Sequence, residues 1–160
     1  MKGRTIGMVA GAVAVACLFL VPAGARAEVD FGIRGGIYSD ADAGFLGGEL
    51  LWDVTRQWYF NPNLEYVFVD DGDLFTVNLD VHYDFNTGNP FYVWAGGGPA
   101  FIFQGADESC RRCEDETDIG LNLLGGIGFG KGQALRPYIQ GKVILSDETE
   151  AVLAVGIRFH

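Results

Sequence analysis

Three short stretches carry side chains at spacings suited to chemistry, and each would imply a different reaction. Asp80-Val81-His82-Tyr83-Asp84 sets two carboxylates around an imidazole at alternate positions. In an extended chain these three project to one side, which is the placement of a metal site or an acid–base group. Cys110-Arg111-Arg112-Cys113 has the C-x-x-C spacing of redox and zinc sites. Zinc would need further nitrogen or sulfur ligands, and the flanking residues offer carboxylates; a thioredoxin-type site needs a helix start in an α/β setting. Gly125 to Lys131 reads G-x-x-x-x-G-K, but Gly132 follows where a phosphate-binding loop has the Ser or Thr that holds Mg²⁺. Which of these chemistries is available depends on the elements that carry them.

Those elements are strands. From Leu74 to Phe85 the chain alternates: Phe75, Val77, Leu79, Val81, Tyr83 and Phe85 take one face, while Thr76, Asn78, Asp80, His82 and Asp84 take the other. The same period of two recurs in segments of about ten residues separated by turn-forming clusters. It gives eight strands, at 29–38, 43–52, 59–69, 74–85, 91–103, 118–129, 135–145 and 150–159. Pro99 falls inside the fifth and predicts a bulge there; Pro62 and Pro137 lie near the starts of theirs. A strand of ten residues tilted about 45° spans roughly 23 Å, close to the apolar band of about 25 Å on outer-membrane barrels.

The ends of the chain agree. Lys2 and Arg4, the apolar run Ile6 to Val21, Pro22 and the Ala25-x-Ala27 spacing read as a secretory leader over residues 1–27, leaving 28–160 as one barrel domain. Lys2, Arg4 and Arg26 leave with the leader, so eight basic residues remain against all 21 acidic ones. That balance excludes a nucleic-acid binder, which needs a basic footprint. The connections separate by charge. Those at 53–58, 86–90 and 130–134 are short and weakly charged; the others carry Asp40 and Asp42, then Asp70, Asp71 and Asp73, then 104–116, then Asp147 and Glu148. In an up-and-down barrel with a periplasmic N-terminus, the acidic set is extracellular.

Volume and charge decide which face looks inward. One face bears Phe31, Trp52, Phe60, Tyr66, Phe68, Phe75, Tyr83, Phe85 and Phe129, too much bulk for the narrow interior of an eight-stranded barrel. The other is rich in glycine and carries every strand charge noted: Arg34, Glu49, Glu65, Asp80, Asp84, Arg136, Lys142 and Arg158. A cation facing lipid near the midplane costs about 2–4 kcal/mol, so the charge-free face is the outer one. The expected fold is therefore an all-β, eight-stranded antiparallel up-and-down transmembrane β-barrel. His82 joins the eight charged residues inside, and the four cations and four carboxylates pair across a closed lumen.

With eight strands, a leader and the terminal aromatic Phe159, the chain resembles the small outer-membrane β-barrel family that includes the OmpA transmembrane domain and OmpX. The resemblance covers Glu28 to His160 and rests on Asn61-Pro62-Asn63-Leu64-Glu65-Tyr66, Asn78-Leu79-Asp80-Val81-His82-Tyr83 and Phe91-Tyr92-Val93-Trp94-Ala95-Gly96-Gly97-Gly98. It implies that Phe159 is the assembly signal read by the barrel-assembly machinery, although His160 follows it here. Lipid-trimming barrel enzymes of this kind place His and Ser on the lipid-facing surface, a pattern that an inward His82 does not meet.

The function expected is non-enzymatic: a structural or surface-interaction barrel in the outer membrane of a Gram-negative cell. It is expected to be monomeric, surrounded by lipid and lipopolysaccharide, and to need no cofactor or dedicated metal. A narrow ion-conducting pore is the alternative, and a lipid-modifying envelope enzyme a more distant one. Cys110 and Cys113 are expected to form a disulfide within the longest external loop.

Overall fold

The structure, a computed structural model, describes residues 28–69, 73–85, 90–105 and 116–160. The leader and the Cys110–Cys113 pair lie outside the described residues. Eight strands follow one another: β1 (Val29–Tyr38), β2 (Ala43–Asp53), β3 (Trp58–Val67), β4 (Asp73–Phe85), β5 (Phe91–Gly105), β6 (Glu116–Phe129), β7 (Leu135–Leu145) and β8 (Glu150–Phe159). Each pairs antiparallel with its sequence neighbours, and β1 also pairs with β8, so the sheet closes on itself. Closure leaves no strand edge unpaired, which a sheet in hydrocarbon requires.

The strands are tilted. The cross-strand register runs from Gly32 to Glu49, Asn63, Asn78, Ala100 and Gly120, climbing from near the end that holds Glu28 and His160 to near the opposite end. Tilt follows from the stagger that closure imposes. At the seam, Phe31 pairs with Phe159 and their rings stack with centroids 5.7 Å apart.

Two connections at the termini end are tight. Between β2 and β3, the N–H groups of Val54 and Thr55 both donate to the Trp58 carbonyl at 3.0 Å, and Thr55 Oγ1 accepts from the Trp58 N–H at 3.2 Å. Between β6 and β7, Gly130 and Gly132 have φ of 75° and 82°, the left-handed region that a side chain disfavours. The G-x-x-x-x-G-K run is therefore the end of a strand and a turn. Its glycines serve chain reversal, and Lys131 reaches Asp84 at 3.9 Å.

The prolines are accommodated without a change of register. The expected bulge at Pro99 is absent: the β4–β5 pairing lapses after Asn78–Ala100 and resumes in the same register at Val81–Gly97. Gly98 makes this possible, because a Cβ there would sit 2.0 Å from the Leu79 carbonyl oxygen. The β2–β3 ladder lapses beside Pro62 in the same way. There the Asn61 side-chain amide donates to the Leu50 carbonyl at 2.6 Å, supplying a donor where proline offers none.

The outer surface is apolar. Leu46 is 60% exposed, Ile119 65% and Val155 55%, and no outward-facing position between the strand ends carries a charge. Aromatic rings gather at both rims. Trp52 stacks on Phe60, and Trp58 meets Tyr83 edge-on, near the termini end; Tyr66 packs between Phe68 and Phe75 near the other. An apolar band between two aromatic girdles is the surface a bilayer selects.

Candidate functional site in the barrel interior

Alternation sends every second side chain into a lumen too narrow to stay empty, so the interior is the candidate site. It fills in layers.

At the termini end, Asp30 is buried on β1 and pairs with Arg136 of β7. The His160 imidazole completes the group, with Nδ1 2.6 Å from Asp30 and Nε2 3.2 Å from Glu28. Asp30 corrects the balance expected from the sequence. It has the same parity as Gly32 and Arg34, and it makes five interior carboxylates against four cations.

Above it lies a ring of aromatics seated on glycines. The register pairs Tyr92 with Gly128, Trp94 with Gly126 and Tyr138 with Gly156. A Cβ at any of these glycines would lie 2.3–2.5 Å from the facing ring. Each glycine thus clears room for a cross-strand aromatic. The Arg158 guanidinium lies over two of the rings, 4.3 Å from Tyr138 and 4.9 Å from Trp94. His82 stacks on Trp94, with centroids 6.1 Å apart and only 1% of its surface exposed. The Asp80-x-His82-x-Asp84 trio does share one side, but its members serve separate groups. Asp84 goes to Lys131, His82 to Trp94, and Asp80 to the layer above. Among the described residues, no group of three or more His, Cys, Asp or Glu is arranged to hold a metal ion.

The middle layer is polar and hydrogen-bonded across the barrel. Glu49 takes Arg158 Nε at 2.8 Å, Arg34 Nη1 at 3.6 Å and the Asn61 amide at 3.1 Å. Glu65 takes Lys142 Nζ at 2.8 Å, Arg34 Nη2 at 3.1 Å and Thr76 Oγ1 at 3.1 Å, and accepts from the Tyr38 hydroxyl. Arg34 therefore bridges two carboxylates, tying β1 to β2 and β3. Among the described residues Asp80 has no cation in contact; the amides of Asn63 and Asn122 donate to it at 3.0 and 2.9 Å. Asn122 also donates to Asn78 at 2.8 Å, and Asn78 to Asn63 at 2.9 Å, closing a small amide circuit. These asparagines, with Gln140, Thr76 and Asp30, were not among the candidates drawn from the sequence. Their signal was parity alone: each shares the face of a charged residue on its own strand.

The end away from the termini is filled by a fourth layer, and this one is apolar. Tyr38 of β1, Phe45 of β2, Val67 of β3, Ala100 of β5, Ile144 of β7 and Val152 of β8 form one buried cluster, with Leu74 of β4 packed against it. On β6 the same level holds Gly120, whose Cβ would meet Ile144 Cγ2 at 2.8 Å. All eight strands contribute.

Chemically this interior holds charge: Arg34, Lys142 and Arg158 are spent on Glu49 and Glu65 and Arg136 on Asp30, while amides hold Asp80. A polar core inside a charge-free apolar wall inverts the arrangement of a soluble barrel. The solved structures it matches share its fold. The N-terminal β-barrel domain of Pseudomonas aeruginosa OprF superposes with a TM-score of 0.72 at 15% identity, over 84% of this chain and 98% of that one. This is the fold of the small outer-membrane β-barrels. Two further examples of that fold are Ail, the attachment invasion locus protein of Yersinia pestis, and the outer membrane enzyme PagL. Ail matches with TM-score 0.57, 12% identity, over 83% of this chain and 97% of its own; PagL with 0.55, 13%, over 82% and 99%. Ail is also known in complex with the heparin analogue sucrose octasulfate. No protein-family model matches the chain, and no curated protein does. An outer-membrane barrel thus hosts attachment and enzymatic proteins alike, so the architecture leaves activity to be argued from the site.

Proposed function

We propose that this chain is an integral barrel of a Gram-negative outer membrane, exported by its leader, with a structural or surface-interaction role rather than an enzymatic one. The observation that carries the reading is the interior. Arg34, Lys142 and Arg158 are fully buried and each is held by Glu49 or Glu65. A catalytic site needs charged groups left available to a substrate; here the three cations and the two glutamates are paired with each other. A lipid-acting site would place its histidine toward the bilayer, and His82 faces the lumen.

Interaction then falls to the loops at the end away from the termini. Asp40, Asp42, Asp73, Asp147 and Glu148 stand there, so the rim is acidic. That sign favours cationic partners and divalent bridging to lipopolysaccharide phosphate, and disfavours a polyanion of the kind solved with Ail. The protein is read as a monomer assembled through Phe159.

The test is membrane fractionation with electrophoresis before and after boiling, followed by planar-bilayer recording. Recovery with the outer membrane, a mobility that changes on boiling, and no stable conductance are expected. Recovery from the soluble periplasm, or stable porin-sized conductance, would overturn the reading.

A further inference from the structure

The charge network is the conspicuous feature of the lumen, yet it is a poor candidate for what seals it. Its layer is made of groups that bind water and ions well. Asn61 Oδ1 and Asn122 Oδ1 are buried there, and His82 Nε2 and Gln140 Nε2 beside the Trp94 ring, without a hydrogen-bond partner among the described residues, so the polar interior has donors and acceptors to offer. An ion entering it meets carboxylates, amides and guanidinium groups in place of its hydration shell. The rim at the termini end is also partly open to solvent, with the Tyr92, Trp94 and Tyr138 rings standing between it and the network. Lys131 is 40% exposed at its side chain and Asp84 beside it 11%.

The layer beyond the network offers an ion nothing. Val67 and Ala100 have no exposed surface, and Ile144 and Ala154 have 1% each. The Tyr38 hydroxyl at the border of this layer is engaged by Glu65, which also holds Lys142 below the Tyr38 ring. Because every strand contributes at this level, the layer spans the lumen. Hydrocarbon of this kind stops ions by withholding solvation, whatever the charges nearby are doing.

We propose that the apolar layer built around Phe45, Val67, Ile144 and Val152 is the barrier to ions, a dry septum closing the barrel at the end away from the termini. The ion-pair network beneath it gives the barrel rigidity but does not seal it. The proposal rests on the reading of the chain as a closed outer-membrane barrel and deepens it, by assigning closure to particular residues.

The experiment is planar-bilayer recording on the refolded full barrel, each variant first shown to fold by its mobility before and after boiling. Glu65→Gln removes the charge that holds Lys142 and Arg34, while its amide oxygen remains an acceptor for the Tyr38 hydroxyl and every septum side chain is kept; it is expected to stay silent like the wild type. Phe45→Ser combined with Ile144→Ser removes bulk and adds hydroxyls at the septum, and discrete current steps are expected where the wild type gives none. Val152→Thr, nearly unchanged in volume, is the milder variant should the double one fail to fold, and brief openings are expected of it. Conducting Glu65→Gln, or silent but folded septum variants, would overturn the septum while leaving the closed barrel standing. Stable conductance of the wild type would overturn both.

Discussion

Glu49→Gln tests whether the buried network holds the barrel together. Glu49 is 3% exposed and holds Arg158 at 2.8 Å, Arg34 at 3.6 Å and the Asn61 amide at 3.1 Å. The amide keeps the volume but removes the charge, and turns an NH₂ toward at least one guanidinium. Arg34 retains Glu65 at 3.1 Å; Arg158 keeps its place over the Tyr138 and Trp94 rings but loses its carboxylate. Removing one partner of a buried ion pair costs about 3–5 kcal/mol, and the surviving contacts put this case near 3. With a urea dependence of about 1–3 kcal/mol per molar, the folding midpoint should fall by about 1–3 M. The assay is urea titration of the barrel in lipid vesicles, read by gel mobility and tryptophan fluorescence. Asp84→Asn is the internal reference, since its pair with Lys131 is 3.9 Å long and partly exposed and should cost under about 1 kcal/mol. A midpoint for Glu49→Gln no lower than that of Asp84→Asn would refute the reasoning. Glu49→Met with Arg158→Met should recover most of the loss, because a buried pair replaced by apolar residues of similar volume is often neutral.

Leu79→Arg, on the outer face midway along β4, should cost about 2–4 kcal/mol of folding stability in vesicles, and Ile119→Arg near the rim of β6 about 0–1; equal costs would mean the apolar face does not meet lipid. Gly156→Ala sets a Cβ 2.5 Å from Tyr138 Cζ and should lose about 1–3 kcal/mol in the same titration, with Tyr138→Phe leaving that penalty unrelieved because the ring itself is the obstacle. Thiol labelling of intact cells without reductant should find Cys110 and Cys113 unreactive if they are joined as proposed, and ready labelling of both would exclude the disulfide.

Period-two alternation was enough to place all eight strands, because in a barrel each residue faces either lipid or lumen and the two environments demand opposite chemistry. Strand ends expected from the sequence lie within two residues of those observed. The direction of each face followed from bulk and charge on single strands, which is why Arg34, Glu49, Glu65, Lys142 and Arg158 could be assigned inward before any pairing was known. What a strand cannot reveal by itself is its stagger against the next. Glu49 and Arg158 are 109 residues apart, and only closure of β1 on β8 brings them to one level. The same stagger lifts Phe45, Val67, Ile144 and Val152 together into one apolar layer; singly, each is an unremarked hydrophobe on a mixed face. Pro99 shows the limit from the other side. Alone in its strand it predicts a bulge, but Gly98 lets the Leu79 carbonyl approach and the register carries through. Sequence alone determined which way each residue faces, since solvation acts residue by residue. Only the tertiary structure decided what each one meets, since level within the lumen is set by the tilt that closure requires.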